Sequence, residues 1–119
     1  MGKVAFVCNG SEGKCVFPPF ILGSSAASLG DDVVIFFTPA GAGSMVKGEL
    51  EKMQGAKGLP DIIELYEGIR QLGGKIYVCE LALDAKDLKE SDFREGVELI
   101  GATAFLKETE NANTTYSFG

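Results

Sequence analysis

Three cysteines and no histidine set the chemistry open to this 119-residue chain. Without His, Ser-His-Asp and Cys-His couples and a His-bound metal are excluded, and Cys without CxxC spacing make a poor zinc set, so no metal is expected. What remains is thiol chemistry, or thiols used as small apolar side chains. Cys79 closes KIYVC (75–79), a run that reads as a strand. At a strand's carboxyl end, just before a helix start, its sulfur would feel peptide dipoles that favour thiolate. The adjacent Glu80 pulls the other way, because a carboxylate disfavours a second negative charge beside it. Cys8 closes an earlier strand, and Cys15 follows in the loop CNGSEGKC (8–15).

That loop nearly spells the phosphate-cradling pattern GxxxxGK[ST]. Cys8 stands where the tight turn needs Gly and Cys15 where a hydroxyl would bind magnesium, so nucleotide hydrolysis is not expected. Pro18 and Pro19, read as the start of the next helix, also set that helix back from the loop. The amides of Asn9 and Gly10, with Lys14, could still hold an anion, facing Gly41 and Gly43 across a crevice. GAGSMV (41–46) lacks the third Gly of a dinucleotide fingerprint and follows the second strand, so it reads as a Gly-rich connection. Glu49, Glu51, Asp84 and Asp87 occupy surface-like helical positions and read as a solvated face.

The elements that must position these residues follow from hydrophobic pattern. KVAFVC (3–8) and DVVIFF (32–37) are apolar runs bounded by turn residues and read as buried strands. Between them PFILGSSAASLG carries small residues that suit a helix lying close against a sheet, giving a βαβ unit with parallel strands. Residues 38–59, interrupted by Gly41, Gly43, Gly48, Gly55 and Gly58, are expected to be a mobile segment over one face. Pro60 and Asp61 open a helix with Ile62, Ile63, Leu65, Tyr66, Ile69 and Leu72 on its apolar side, closed by Gly73 and Gly74. KIYVC follows, then a short helical piece near 85–89, a turn near 91–96, a helix over 102–108 and a last strand near 114–118. VELI (97–100) reads equally as a strand or a helix entry. Alternating β and α elements imply a doubly wound α/β sheet, with all three thiols at its carboxyl edge.

Composition narrows the partners. The balance of 17 acidic against 11 basic residues gives a net charge of −6, and no basic run interleaves with aromatics, so nucleic acid is not an expected partner. The length suits one domain over residues 1–119. The longest apolar stretches, such as VVIFF (33–37), are far shorter than a spanning helix, and the first residues lack a signal-peptide pattern, so a soluble cytoplasmic protein with reduced thiols is expected.

KIYVCELALDAKDLKESDFREGVELIGATAFL (75–106) resembles the DsrE/DsrF-like family, in particular its small, peroxiredoxin-like branch. The matching features are the strand ending in Cys79, Leu81 to Asp84, the acidic turn at Asp92, Gly96 to Glu98, and Gly101 with Ala102. AASLGDDVVIFFTPAG (26–41) is similar to the segment that ends the family's second strand, although Pro39 stands where an aromatic is more usual, which implies a more open pocket. The resemblance implies a flavodoxin-like three-layer α/β/α fold with a mainly parallel sheet of about five strands, assembled as a homo-oligomer. It further implies a sulfurtransferase or sulfur carrier, with Cys79 holding sulfane sulfur as a persulfide and passing it to a TusA-like acceptor, without metal or organic cofactor. Cys8 and Cys15 would be auxiliary thiols. The rival reading is a non-catalytic binding or scaffold subunit that holds an anion or small ligand in the crevice of Asn9, Gly10, Lys14, Gly41 and Gly43.

Overall fold

The computed structural model describes residues 2–119. Five strands, β1 (Lys3–Cys8), β2 (Asp32–Phe37), β3 (Lys75–Cys79), β4 (Val97–Ile100) and β5 (Thr114–Phe118), form one sheet in the order β4-β3-β2-β1-β5. Every pairing is parallel. Strand composition follows position. DVVIFF is the central strand and is buried at every residue but Asp32, as expected where both faces and both edges are covered. VELI and TTYSF form the edges and are the most exposed, so the undecided VELI is a strand.

Helix α1 (Gly13–Ser28) joins β1 to β2, and α2 (Ile62–Gln71) leads into β3. Asp61 caps α2 by accepting from the Ile63 amide at 2.9 Å, and Gly73, at φ 91°, ends it in a conformation that side chains resist. The small residues of α1 do bring it close to the sheet: a Cβ at Gly23 would lie 3.3 Å from Ile69 and 3.4 Å from Ile35. Both helices bury their apolar sides against one face of the sheet. After β4 the chain crosses back over the whole sheet to β5, and the connecting helix α4 (Ala102–Glu108) covers the other face, where Phe105 stacks on Phe36 with ring centroids 4.2 Å apart. Reversing the direction of strand addition moves the crossover helix to the opposite side because such connections are right-handed. The short α3 (Ala82–Ala85) follows β3.

Two sequence expectations need correction. Helix α1 begins at Gly13 rather than at the prolines, so Pro18 and Pro19 lie inside it and Cys15 sits in its first turn. Residues 38–59 are not a loose flap: two 3₁₀ turns, Ala42–Met45 and Leu50–Met53, plug Ala42, Met45 and Leu50 fully into the core. Among the described residues no helix is long and apolar enough to cross a membrane.

Candidate functional site

Cys8 and Cys79 both end strands at the carboxyl edge of the sheet, but side chains alternate along a strand and the two fall on opposite faces. Cys8 packs with Cys15, Phe17, Phe37 and Met45 on the α1/α2 face, whereas Cys79 packs with Val34, Phe36, Tyr77 and Phe105 on the α4 face. Strand β2 also lies between β1 and β3. Two strand spacings are about 10 Å, beyond the reach of a disulfide even without the sheet in between. All three cysteines are free thiols.

The role of Cys8 is set by the two prolines. Residues 18 and 19 are where the i+3 and i+4 donors to the Cys15 carbonyl would come from, and neither has an N–H. The Cys8 thiol fills the gap, donating to the Cys15 carbonyl at 3.1 Å, with the Gly10 carbonyl at 3.3 Å. Burial pushes the Cys8 thiol up to about 11, which keeps the proton that this bond requires. Cys8 is thus committed to holding α1 onto the end of β1. Nothing in a Cys-to-Pro spacing of ten or eleven residues announces this without knowing that α1 starts early.

The crevice expected between the first two loops is closed. Thr38 N–H donates to the Cys8 carbonyl at 3.1 Å, Ser11 Oγ donates to the Ala40 carbonyl at 2.7 Å, and Thr38 Oγ1 donates to Asn9 Oδ1 at 2.6 Å. A Cβ on Gly41 would lie 2.5 Å from the Cys8 carbonyl oxygen, so Gly serves there for close backbone approach. Gly10 lies against the Cys15 sulfur and Gly43 beside Ser11. Asn9, Gly10, Gly41 and Gly43 are therefore brought together, but against one another; Lys14 lies apart, on the exposed side of α1.

Cys79 is surrounded by carbon and is 4% exposed. Its register partner on β4 is Ile100, and the Glu80 amide donates to the Ile100 carbonyl at 3.0 Å, so the sulfur stands beside the junction from β4 to α4. Ala102, Thr103 and Ala104 at that junction are exposed. The far end of α4 is fastened by the Tyr77 hydroxyl, which donates to Glu108 at 2.5 Å, and by Lys3 Nζ, which donates to the Glu108 carbonyl at 2.8 Å. Burial, reinforced by the neighbouring Glu108, raises the Tyr77 hydroxyl well above its ordinary value, so it remains a donor. Sequence reasoning named Cys79 but not its cover, Phe105 and the Tyr77 to Glu108 bond, which arises between residues far apart in the chain.

Comparison with known proteins gives a consistent picture. The model of the DsrE/DsrF-like family matches residues 2–118. The sulfur carrier protein DsrE2 of Allochromatium vinosum is 27% identical over 145 aligned positions, covering 88% of this chain and 91% of that protein. The uncharacterized protein MJ0760 of Methanocaldococcus jannaschii is 30% identical over 97 residues, 82% of this chain but only 35% of that longer protein. Among solved structures, the ychN protein from E. coli superposes with a TM-score of 0.79 at 17% identity, covering 99% of this chain and 100% of that one. MTH1491 from Methanobacterium thermoautotrophicum, a protein of unknown function, superposes at 0.69 with 14% identity, covering 98% and 99%. At such identities these two structures speak for the fold.

Proposed function

The chain belongs to the DsrE/DsrF-like family, and from that premise we propose that it is a sulfur-relay protein whose carrier thiol is Cys79. The observation that carries this reading is the division of labour between the thiols. Cys8 is kept protonated by burial and spends that proton on a structural hydrogen bond, whereas Cys79 ends its strand on the other face beneath a single seven-residue helix, next to an exposed junction. A full-length relative bearing the name sulfur carrier protein supports it.

In the proposed cycle the Cys79 thiolate attacks the outer sulfur of a donor persulfide, R–S–SH. The Cys79 S–S bond forms, the donor S–S bond breaks, and R–S⁻ leaves with the electron pair. An acceptor thiolate, on a TusA-like carrier, then attacks the outer sulfur of Cys79–S–SH and releases the Cys79 thiolate. Sulfane sulfur moves without net oxidation, so neither step calls for a cofactor. The sulfur is nearly covered at rest, and loading therefore proceeds through opening of the β4–α4 junction. The protein works as one domain, in homo-oligomeric form and in the cytoplasm.

Intact-mass measurement after incubation with a polysulfide tests the reading. Wild type should gain sulfur that a reductant removes, Cys8→Ser and Cys15→Ser should gain it too, and Cys79→Ser should gain none while keeping its far-UV circular dichroism. Equal loading of Cys79→Ser would sink the proposal.

A further inference from the structure

A cavity of about 580 Å³ opens between the first half of α1 and residues 52–59, within the size range of small-ligand sites. It lies on the α1/α2 face, away from Cys79, and its interpretation does not rest on the sulfur-relay reading. Phe17, Pro18 and Ile21 form one wall, and Met53, Ala56 and Leu59 the other. The space exists because small residues line it: Gly13 and Gly55 contribute no side chain, and Gly55 and Gly58, at φ 80° and 79°, turn the chain back around it. Its exposed apolar rim includes Leu59, 45% exposed.

Charge singles out an occupant. In a chain of net charge −6, the lining carries Lys14 from α1 and Lys52 from the 3₁₀ turn facing it, and no carboxylate among the described residues. Lys14 stands 3.9 Å from Glu12 and Lys52 2.8 Å from Glu49, with both lysine side chains more than two-thirds exposed, at 78% and 71%. Such solvated pairs contribute little and exchange readily for another anion. At the same rim the Gln54 side-chain amide donates to the Asp61 carboxylate, which lies outside the lining.

We propose that this groove binds a small amphiphilic anion: an aliphatic body against Phe17, Ile21, Met53 and Leu59, and a carboxylate or comparable head between the Lys14 and Lys52 ammonium groups. Both halves are required. Apolar burial supplies affinity that grows with each methylene, and the lysines select the sign of the head.

Octanoate, butyrate and octan-1-ol are the probes, titrated into the ¹⁵N-labelled full chain. Octanoate should shift the amides of residues 13–21 and 52–59 and saturate. Butyrate, four methylenes shorter, should bind at least tenfold more weakly, and octan-1-ol at least threefold more weakly. Lys14→Ala with Lys52→Ala should reduce octanoate affinity about three- to tenfold and leave octan-1-ol unchanged. Ala56→Trp should fill the groove and abolish binding of both. Octan-1-ol binding as tightly as octanoate would overturn the proposal, as would the absence of shifts at these residues. So would shifts there that follow protein concentration alone, which would make the groove an interface between copies.

Discussion

The two faces of the sheet treat their cysteines in opposite ways. On the thick face, α1, α2 and two 3₁₀ turns bury Cys8 completely, and its proton is committed to a carbonyl that two prolines leave without a donor. On the thin face a seven-residue helix, one aromatic stack and two bonds to Glu108, from the Tyr77 hydroxyl and from Lys3 Nζ, cover Cys79. A reactive thiol has to meet a partner without the core coming apart, and only the thin face can open locally at small cost. Burial figures alone would miss the distinction, since both sulfurs are nearly inaccessible; it is the number of interactions that must break to reach each one that differs.

Removing the Phe105 ring tests the thin face most severely. Phe105→Ala loses a buried aromatic and its stack on Phe36, and should cost about 3 kcal/mol in denaturant unfolding. It should also raise the rate at which Cys79 reacts with a disulfide reagent by tenfold or more, leaving Cys8 unreactive. Unchanged Cys79 labelling would mean that α4 is not its cover. On the thick face, Cys8→Ala leaves the Cys15 carbonyl without a donor and should cost about 2 kcal/mol, while Cys8→Ser, which still donates, should recover much of it. Equal losses for the two variants would reduce Cys8 to a space filler.

Burial of the same thiol has a pH signature. The folded-state Cys8 value, about 11, is raised above the ordinary 9.0 by desolvation, so the stability linked to the buried neutral thiol is intact below pH 9 and is lost as pH climbs through 11, on the order of 2 to 3 kcal/mol. Wild type should lose more stability between pH 9 and 11 than Cys8→Ser, which has no thiol to titrate. Parallel curves would contradict the assignment. The smallest change is expected from Tyr77→Phe, which removes one of the two side-chain bonds that fasten the far end of α4: about 1 kcal/mol, with a modest rise in Cys79 labelling.

Much of this arrangement is legible in the sequence. Uninterrupted DVVIFF reads as a buried strand because a parallel strand covered on both faces needs no polar alternation, and Asp61 and Gly73 mark the ends of α2 by local chemistry. The Cys79 position, too, is plain from KIYVCE and its surroundings. The prolines misled because their usual place is a helix start, and a helix that runs through them depends on a thiol arriving from another strand. Likewise, which face Cys8 and Cys79 occupy depends on strand order and register, and closure of the Asn9 to Gly43 crevice depends on hydrogen bonds between two loops. These are long-range facts with no local pattern to signal them.

The pairing of β1 with β5 has a consequence for how the molecule is made. The first strand of the sheet lies between β2 and β5, and its β5 side is completed by residues about 110 positions later, as in the bond from the Lys3 amide to Asn113. A nascent chain can dock β1, α1, β2, α2 and β3 as they emerge, yet one flank of β1 stays open until β5 has been synthesised. Such late, distant closure slows folding and leaves an unpaired strand edge exposed to other chains in the interval. Synthesis rate and chaperone access in that interval should govern the yield of native protein more than the stability of the finished fold does.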